Sequence, residues 1–220
     1  TQLAYEPTGK LSTISTSDGR SLAMTYDDAQ RLVAIQDELG NRTSYTLDVK
    51  GNRVREDTTD QRGLLATTVS RSMDPLNRIA QMINGSGHAT TYEYDPNGNL
   101  TGMVSPLSHR TSHRYDALNR ATSDLDPGNG TTTRQFDASD RLTQITAPNG
   151  VVTRYVFDGL GNKTQEISAD RGVTSYIHDA AGNVVTSTDA RGVVTAYQYD
   201  ALDRVTSIAF SGGSGIASSS

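Results

Sequence analysis

Several side chains in the 220-residue sequence could do chemistry, and their spacing decides between the uses. His109 and His113 stand four apart, the separation at which two imidazoles on a helix share a zinc ion. Acidic residues recur in glycine-containing turns such as Asp95-Pro-Asn-Gly98, where a carboxylate could bind calcium or move a proton. Ten tyrosines could stack on sugar rings, because an aromatic face is apolar and its hydroxyl polar. Asn41-Arg-Thr43, Asn84-Gly-Ser86, Asn99-Leu-Thr101, Asn129-Gly-Thr131 and Asn162-Lys-Thr164 spell N-glycosylation sequons. Serine, histidine and aspartate are all present, yet no Gly-x-Ser-x-Gly elbow, P-loop or dinucleotide fingerprint accompanies them.

Marking the acidic residue that follows each aromatic-led motif gives Glu6, Asp27, Asp48, Asp74, Asp95, Asp116, Asp137, Asp158, Asp179 and Asp200. Every interval is 21 residues except the 26 between Asp48 and Asp74. Catalytic residues do not recur at a fixed period; supersecondary units stacked on their neighbours do. The markers therefore read as the meter of a repeat.

Taking each marker as position zero, position +3 is Gly, Asn or Asp in every repeat but the second, where it is Gln30. Those residues tolerate the left-handed conformation, so Asp-x-x-Gly reads as a type I turn closed by a left-handed residue, the three-residue hairpin loop with a bulge. Further turns fall ten to thirteen residues later, at Asp37–Gly40, 147–150, 169–172 and 189–192. Two turns per period enclose two strands, and segments such as Val151-Val-Thr-Arg-Tyr-Val-Phe157 have strand composition. The stretch with five extra residues, around 55–73, is read as a longer hairpin or a protruding loop.

All tyrosines lie at −1 or −3, on one face of a strand. The loop length sets −1 opposite +5, an aliphatic residue in most repeats, so Tyr5, Tyr26, Tyr94, Tyr115 and Tyr199 are expected to face their own hairpins. The marker is placed opposite +4, which is Lys or Arg in six repeats and Asn in four. The expectation is a tyrosine–aliphatic row on one face and an Asp–Arg/Asn row near the turns of the other. Packing takes precedence over glycan stacking on this reading, and turn capping over calcium. In a strand, four residues span about 13 Å, too far for His109 and His113 to share one metal. The sequons follow from asparagine in turns ahead of Thr-rich strands.

Net charge is −5, from 20 basic and 25 acidic residues spread along the chain, so no basic stripe for nucleic acid is present. Cysteine is absent, which excludes disulfides and thiolate metal sites. No run approaches the 18 apolar residues of a membrane-spanning helix. The first residue is not Met, from which a fragment or processed segment is expected.

Tyr94-Asp-Pro-Asn-Gly-Asn-Leu-Thr101 and Tyr199-Asp-Ala-Leu-Asp-Arg-Val-Thr206, repeated at this period, resemble the YD repeats of the bacterial Rhs family, whose relatives include insecticidal toxin complex shells, wall-associated toxins and teneurins. The resemblance implies an all-β array of about ten 21-residue hairpins over residues 1–210, wound into a continuous spiralling sheet that is part of a hollow shell, with a Gly/Ser-rich end at 211–220. It implies a non-enzymatic wall segment without cofactor or metal, in a secreted or cell-surface bacterial protein. Its partners would be flanking repeats and an enclosed toxin domain. The family's self-cleaving aspartate motif and variable toxin domain are not found in the sequence. The alternative is an adhesion module whose Tyr-rich surface meets a glycan or a cell-surface partner. The fourteen structural markers are the five tyrosines named above with Asp27, Asp48, Asp74, Asp95, Asp116, Asp137, Asp158, Asp179 and Asp200.

Overall fold

Loops of three residues leave the chain little choice but to fold straight back, and the computed structural model, which describes residues 1–212, consists of antiparallel strands joined by such loops. It divides into two compact units, Thr1–Thr111 and Ser112–Ser220. The first carries β1 (Gln2–Tyr5), β2 (Leu11–Ser15), β3 (Ser21–Tyr26), β4 (Leu32–Asp37), β5 (Arg42–Leu47), β6 (Arg53–Thr59), β7 (Leu65–Met73), β8 (Ile79–Asn84), β9 (Ala89–Tyr94) and β10 (Leu100–Val104). After β11 (Arg110–Tyr115) come β12 (Ala121–Leu125), β13 (Thr131–Phe136), β14 (Leu142–Thr146) and β15 (Val152–Phe157). The chain continues through β16 (Lys163–Ser168), β17 (Gly172–His178), β18 (Val184–Thr188), β19 (Val193–Tyr199) and β20 (Val205–Gly212). No helix occurs among the described residues. Of the Gly/Ser-rich end, residues 213–220 lie outside the described part.

Within each unit, consecutive strands pair as a meander. The −1 residue meets +5 in every marker hairpin, as in Tyr26↔Leu32, Phe136↔Leu142 and Tyr199↔Val205, with a register shift beside it. That shift is a bulge caused by the left-handed +3 residue: Gly51 has φ 89° and Gln30, Asn77 and Asp140 hold φ of 61–64°. The extra residues between Asp48 and Asp74 lengthen strands. β6 and β7 run 7 and 9 residues and close through the same kind of loop at Asp60–Gly63, so the longer hairpin is what forms.

Alternation decides the faces. In β13, Arg134 and Phe136 are half-buried while Thr133 and Gln135 are exposed, and β15 and β19 repeat the pattern. Burial is thin throughout: among the described residues only Ala34 and Val193 form a buried apolar core, and no large side chain is fully buried. Stability in such a fold comes from many neighbour contacts.

Candidate functional site

Each marker aspartate carboxylate accepts more than one hydrogen bond within its own turn. In the hairpin of Asp137, the backbone N–H of Asp137 donates to the Arg141 carbonyl at 2.9 Å, and Asp140 N–H to the Asp137 carbonyl at 3.2 Å. Asp137 Oδ1 accepts from the N–H groups of Ser139 (2.8 Å) and Arg141 (3.0 Å), and Oδ2 accepts Arg141 Nε at 2.7 Å. The same arrangement holds Asp27 with Arg31, Asp74 with Arg78, Asp116 with Arg120 and Asp200 with Arg204. At Asp48, Asp95, Asp158 and Asp179 the amides of Asn52, Asn99, Asn162 and Asn183 take the place of the guanidinium. Glu6 keeps the backbone turn, its N–H donating to Lys10 O at 2.8 Å, while its longer carboxylate accepts Thr8 Oγ1 at 3.4 Å.

These donors hold the nine marker aspartates below the ordinary carboxylate range. The side chain at +4 is the first cause for Asp27, Asp48, Asp95, Asp116, Asp158 and Asp200. The backbone N–H of that same residue is the first cause for Asp74, Asp137 and Asp179. Carboxylates so saturated with donors are poor proton acceptors and poor metal ligands.

The arginines do more than close their own turns. Nη1 of Arg31, Arg78, Arg120 and Arg141 donates to the carbonyl of the next marker, Asp48, Asp95, Asp137 and Asp158, at 3.0–3.3 Å. The guanidiniums of Arg78, Arg120 and Arg141 lie over the next −1 rings, Tyr94, Phe136 and Phe157, at 4.5–5.0 Å. The Asp–Arg row and the aromatic row, expected on opposite faces, thus join. A long arginine stem crosses the ribbon's edge, and its planar cation gains by stacking on a ring. The tyrosines answer in the other direction: the hydroxyls of Tyr26, Tyr94 and Tyr199 donate to the carbonyls of Leu11, Ile79 and Val184 in the preceding repeat, at 2.8–3.0 Å. Tyr115 pairs across its hairpin with Ala121, and Tyr5 stands on β1 facing Leu11.

Sequence reasoning passed over two features. Thr122, Thr143 and Thr164, at +6, donate their hydroxyls to the carbonyls of Arg114, Gln135 and Val156 at 3.2 Å, serving the −2 carbonyl beside the bulge. Their recurrence at +6 was the available signal. The second feature is a set of acid–base groups gathered on an acidic residue at +8: Glu56 with Arg71, Asp124 with His113 and Arg134, and Glu166 with Lys163 and the exposed Arg171. Burial pushes Asp124 up, but His113 and Arg134 outweigh it and hold it low. In each, an acidic residue takes the +8 place that Ile or Met holds in most other repeats, opposite Tyr45, His113 or Tyr155 at −3.

His113 Nδ1 meets Asp124 Oδ1 at 2.6 Å, and His109 donates its backbone N–H to Ser105 Oγ at 3.2 Å. No metal-holding cluster of His, Asp or Glu occurs among the described residues. The amides of Asn41, Asn99 and Asn162 are donors to Asp37, Asp95 and Asp158, Asn84 Oδ1 accepts Ser86 and His88 N–H, and Asn129 sits at φ 64°. The sequons are thus turn residues.

A family model described as RHS Repeat matches residues 5–42, 26–62, 74–110, 115–152, 136–173 and 178–214, most of the chain. No curated protein matches in sequence. Among solved structures, a TcdB2–TccC3–Cdc42 crystal structure is similar with a TM-score of 0.65 over 95% of this chain at 13% identity. A mutant Tc holotoxin pore of Photorhabdus luminescens matches with the same TM-score, coverage and identity. A TcdB2–TccC3–TEV crystal structure reaches 0.63 at 14% identity. The chain spans about 15% of the length of each. Likeness at this identity concerns the fold.

Proposed function

The chain belongs to the RHS repeat family, and on that premise we propose that it is a non-enzymatic stretch of wall, residues 1–210, in an exported protein that encloses a toxin. One observation carries the reading. The marker carboxylates, guanidiniums and hydroxyls that could have served a substrate are spent on their own turns and on neighbouring repeats, from the Asp137–Arg141 clasp to the Tyr94 hydroxyl on Ile79. The fourteen marker residues act as structural elements of that wall, and its partners are the flanking repeats and the enclosed domain. The likeness to toxin-complex structures supports the enclosure.

The test uses the longer protein that carries this segment. Limited proteolysis is expected to spare the domain enclosed by the intact array, and to degrade it when residues 1–210 are deleted. Equal protection with and without the array would overturn the wall reading. Saturable binding on a glycan array, lost when Tyr45, Tyr155 and Tyr197 are changed to Ala, would establish the adhesion module in its place.

A further inference from the structure

Four Asn-Gly pairs occur in the sequence, at 84–85, 97–98, 129–130 and 149–150, and all of them fall in hairpin loops. Such a pair is open to cyclisation, because glycine has no side chain to shield its nitrogen from the Cγ of the asparagine before it. The fold separates the four by their place in the turn. Asn97 and Asn149 are third in theirs, so the next N–H is the one that closes the turn: Gly98 donates to the Asp95 carbonyl at 3.1 Å and Gly150 to that of Ala147 at 2.9 Å. Asn129 is fourth, and the Gly130 N–H is held by Asp126 Oδ1 at 2.8 Å.

Of the four, only Asn84 stands first. Its N–H donates to the His88 carbonyl at 3.0 Å and its carbonyl accepts the Gly87 N–H at 2.9 Å, while the Gly85 nitrogen has no hydrogen-bond partner among the described residues. Asn84 Oδ1 accepts the N–H groups of Ser86 and His88, each at 3.0 Å. Two backbone donors on one carbonyl oxygen stabilise negative charge that develops there. Asn84 to His88 are all exposed, and Asn84, Gly85 and Ser86 line an open groove of about 530 Å³ beside β7. Water reaches the site.

We propose that Asn84 and Gly85 form a self-modifying site, at which the Gly85 nitrogen attacks Asn84 Cγ and the asparagine is converted to aspartate and isoaspartate. The N–Cγ bond forms as the Gly85 proton passes to solvent, and the carbonyl electron pair moves onto Oδ1 between the Ser86 and His88 N–H groups. Collapse of that adduct returns the pair to Cγ and breaks its bond to Nδ2, which takes up a proton and leaves as ammonia. Water, the sole co-reactant, then opens the five-membered imide at either carbonyl. Opening at the main-chain carbonyl carries the chain on through Cγ, which adds a methylene to the backbone at the residue paired with Val69. One turn of the array is thereby loosened.

Peptide mapping by mass spectrometry of the folded 220-residue chain, aged at mildly alkaline pH, tests this. Asn84 is expected to convert at least about tenfold faster than Asn97, Asn129 and Asn149, whereas in urea, where the four share only their glycine, they convert at similar rates. Thr16 opens an equivalent turn, its N–H on the Arg20 carbonyl and its own carbonyl on the Gly19 N–H. Thr16→Asn with Ser17→Gly is therefore expected to create a second site that converts along with Asn84. Faster conversion at any of the other three pairs in the folded chain, an equal lead for Asn84 in urea, or a new pair at 16–17 that lags with Asn149 would overturn the proposal.

Discussion

At the scale of single residues, each turn built on a marker aspartate depends on a carboxylate whose ionised form accepts from the backbone and from the +4 side chain at once. The marker aspartates are depressed in the fold from an ordinary value of 3.8, so their contribution is fully present above that value and is lost as pH falls through the lower, folded one. Melting temperature is expected to be flat from neutral pH to about 5 and to drop below about 4; a melt unchanged at pH 3 would refute the clasp as a stabilising device. Thr143→Val keeps the shape of the side chain but leaves the Gln135 carbonyl without its hydroxyl partner, at a cost of about 1 kcal/mol in chemical denaturation. At Gly102 a Cβ would stand 2.8 Å from Glu93 Oε2 and 2.9 Å from Arg110 Nη2. Those are ends of flexible side chains, so Gly102→Ala should fold while loosening the Glu93–Arg110 pair, and should destabilise by about 1 kcal/mol at most.

The element of the fold is the hairpin with its left-handed residue, and here local chemistry and tertiary demand can be separated. Gln30 holds φ 61° with no side-chain preference for it, whereas Asp140, at the equivalent place, offers its carboxylate to Arg120 Nη1 at 2.6 Å. Gln30→Gly is expected to stabilise by about 0.5–1 kcal/mol, since it removes the left-handed penalty, while Asp140→Gly gives less because the tie to Arg120 goes with it. Paired urea melts of the two variants check this, and an equal gain in both would show the Asp140 bridge to be idle. The hairpin was legible in the sequence for the same local reasons: Asp at zero and Gly or Asn at +3 set the loop, and the loop set −1 opposite +5. The acid–base trio at His113, Asp124 and Arg134 was not legible, because three strands bring it together and its members differ from the types found at those positions elsewhere.

At the scale of the whole molecule, stability is a sum of neighbour terms over a core containing little beyond Ala34 and Val193. Ala34 is 0% exposed, so Ala34→Leu overfills its site and is expected to cost about 1–3 kcal/mol. Amide exchange should rise in β3 to β6 and remain at its original level in β17 to β19, because no single core transmits the damage. Uniform loss of protection would show instead that the array unfolds as one cooperative block.

The sequence by itself determined what depends on a few consecutive residues: the 21-residue meter, the turn type, the strand faces and the pairing inside each hairpin. Loop length and left-handed residues dictate those without reference to distant groups. Tertiary structure alone decided how hairpins hold one another, through the reach of Arg120 to the Asp137 carbonyl and of Tyr94 to that of Ile79. Those bonds join residues 17 and 15 positions apart, and they form only once adjacent strands bring a side chain within about 3 Å of a carbonyl that no local pattern singles out.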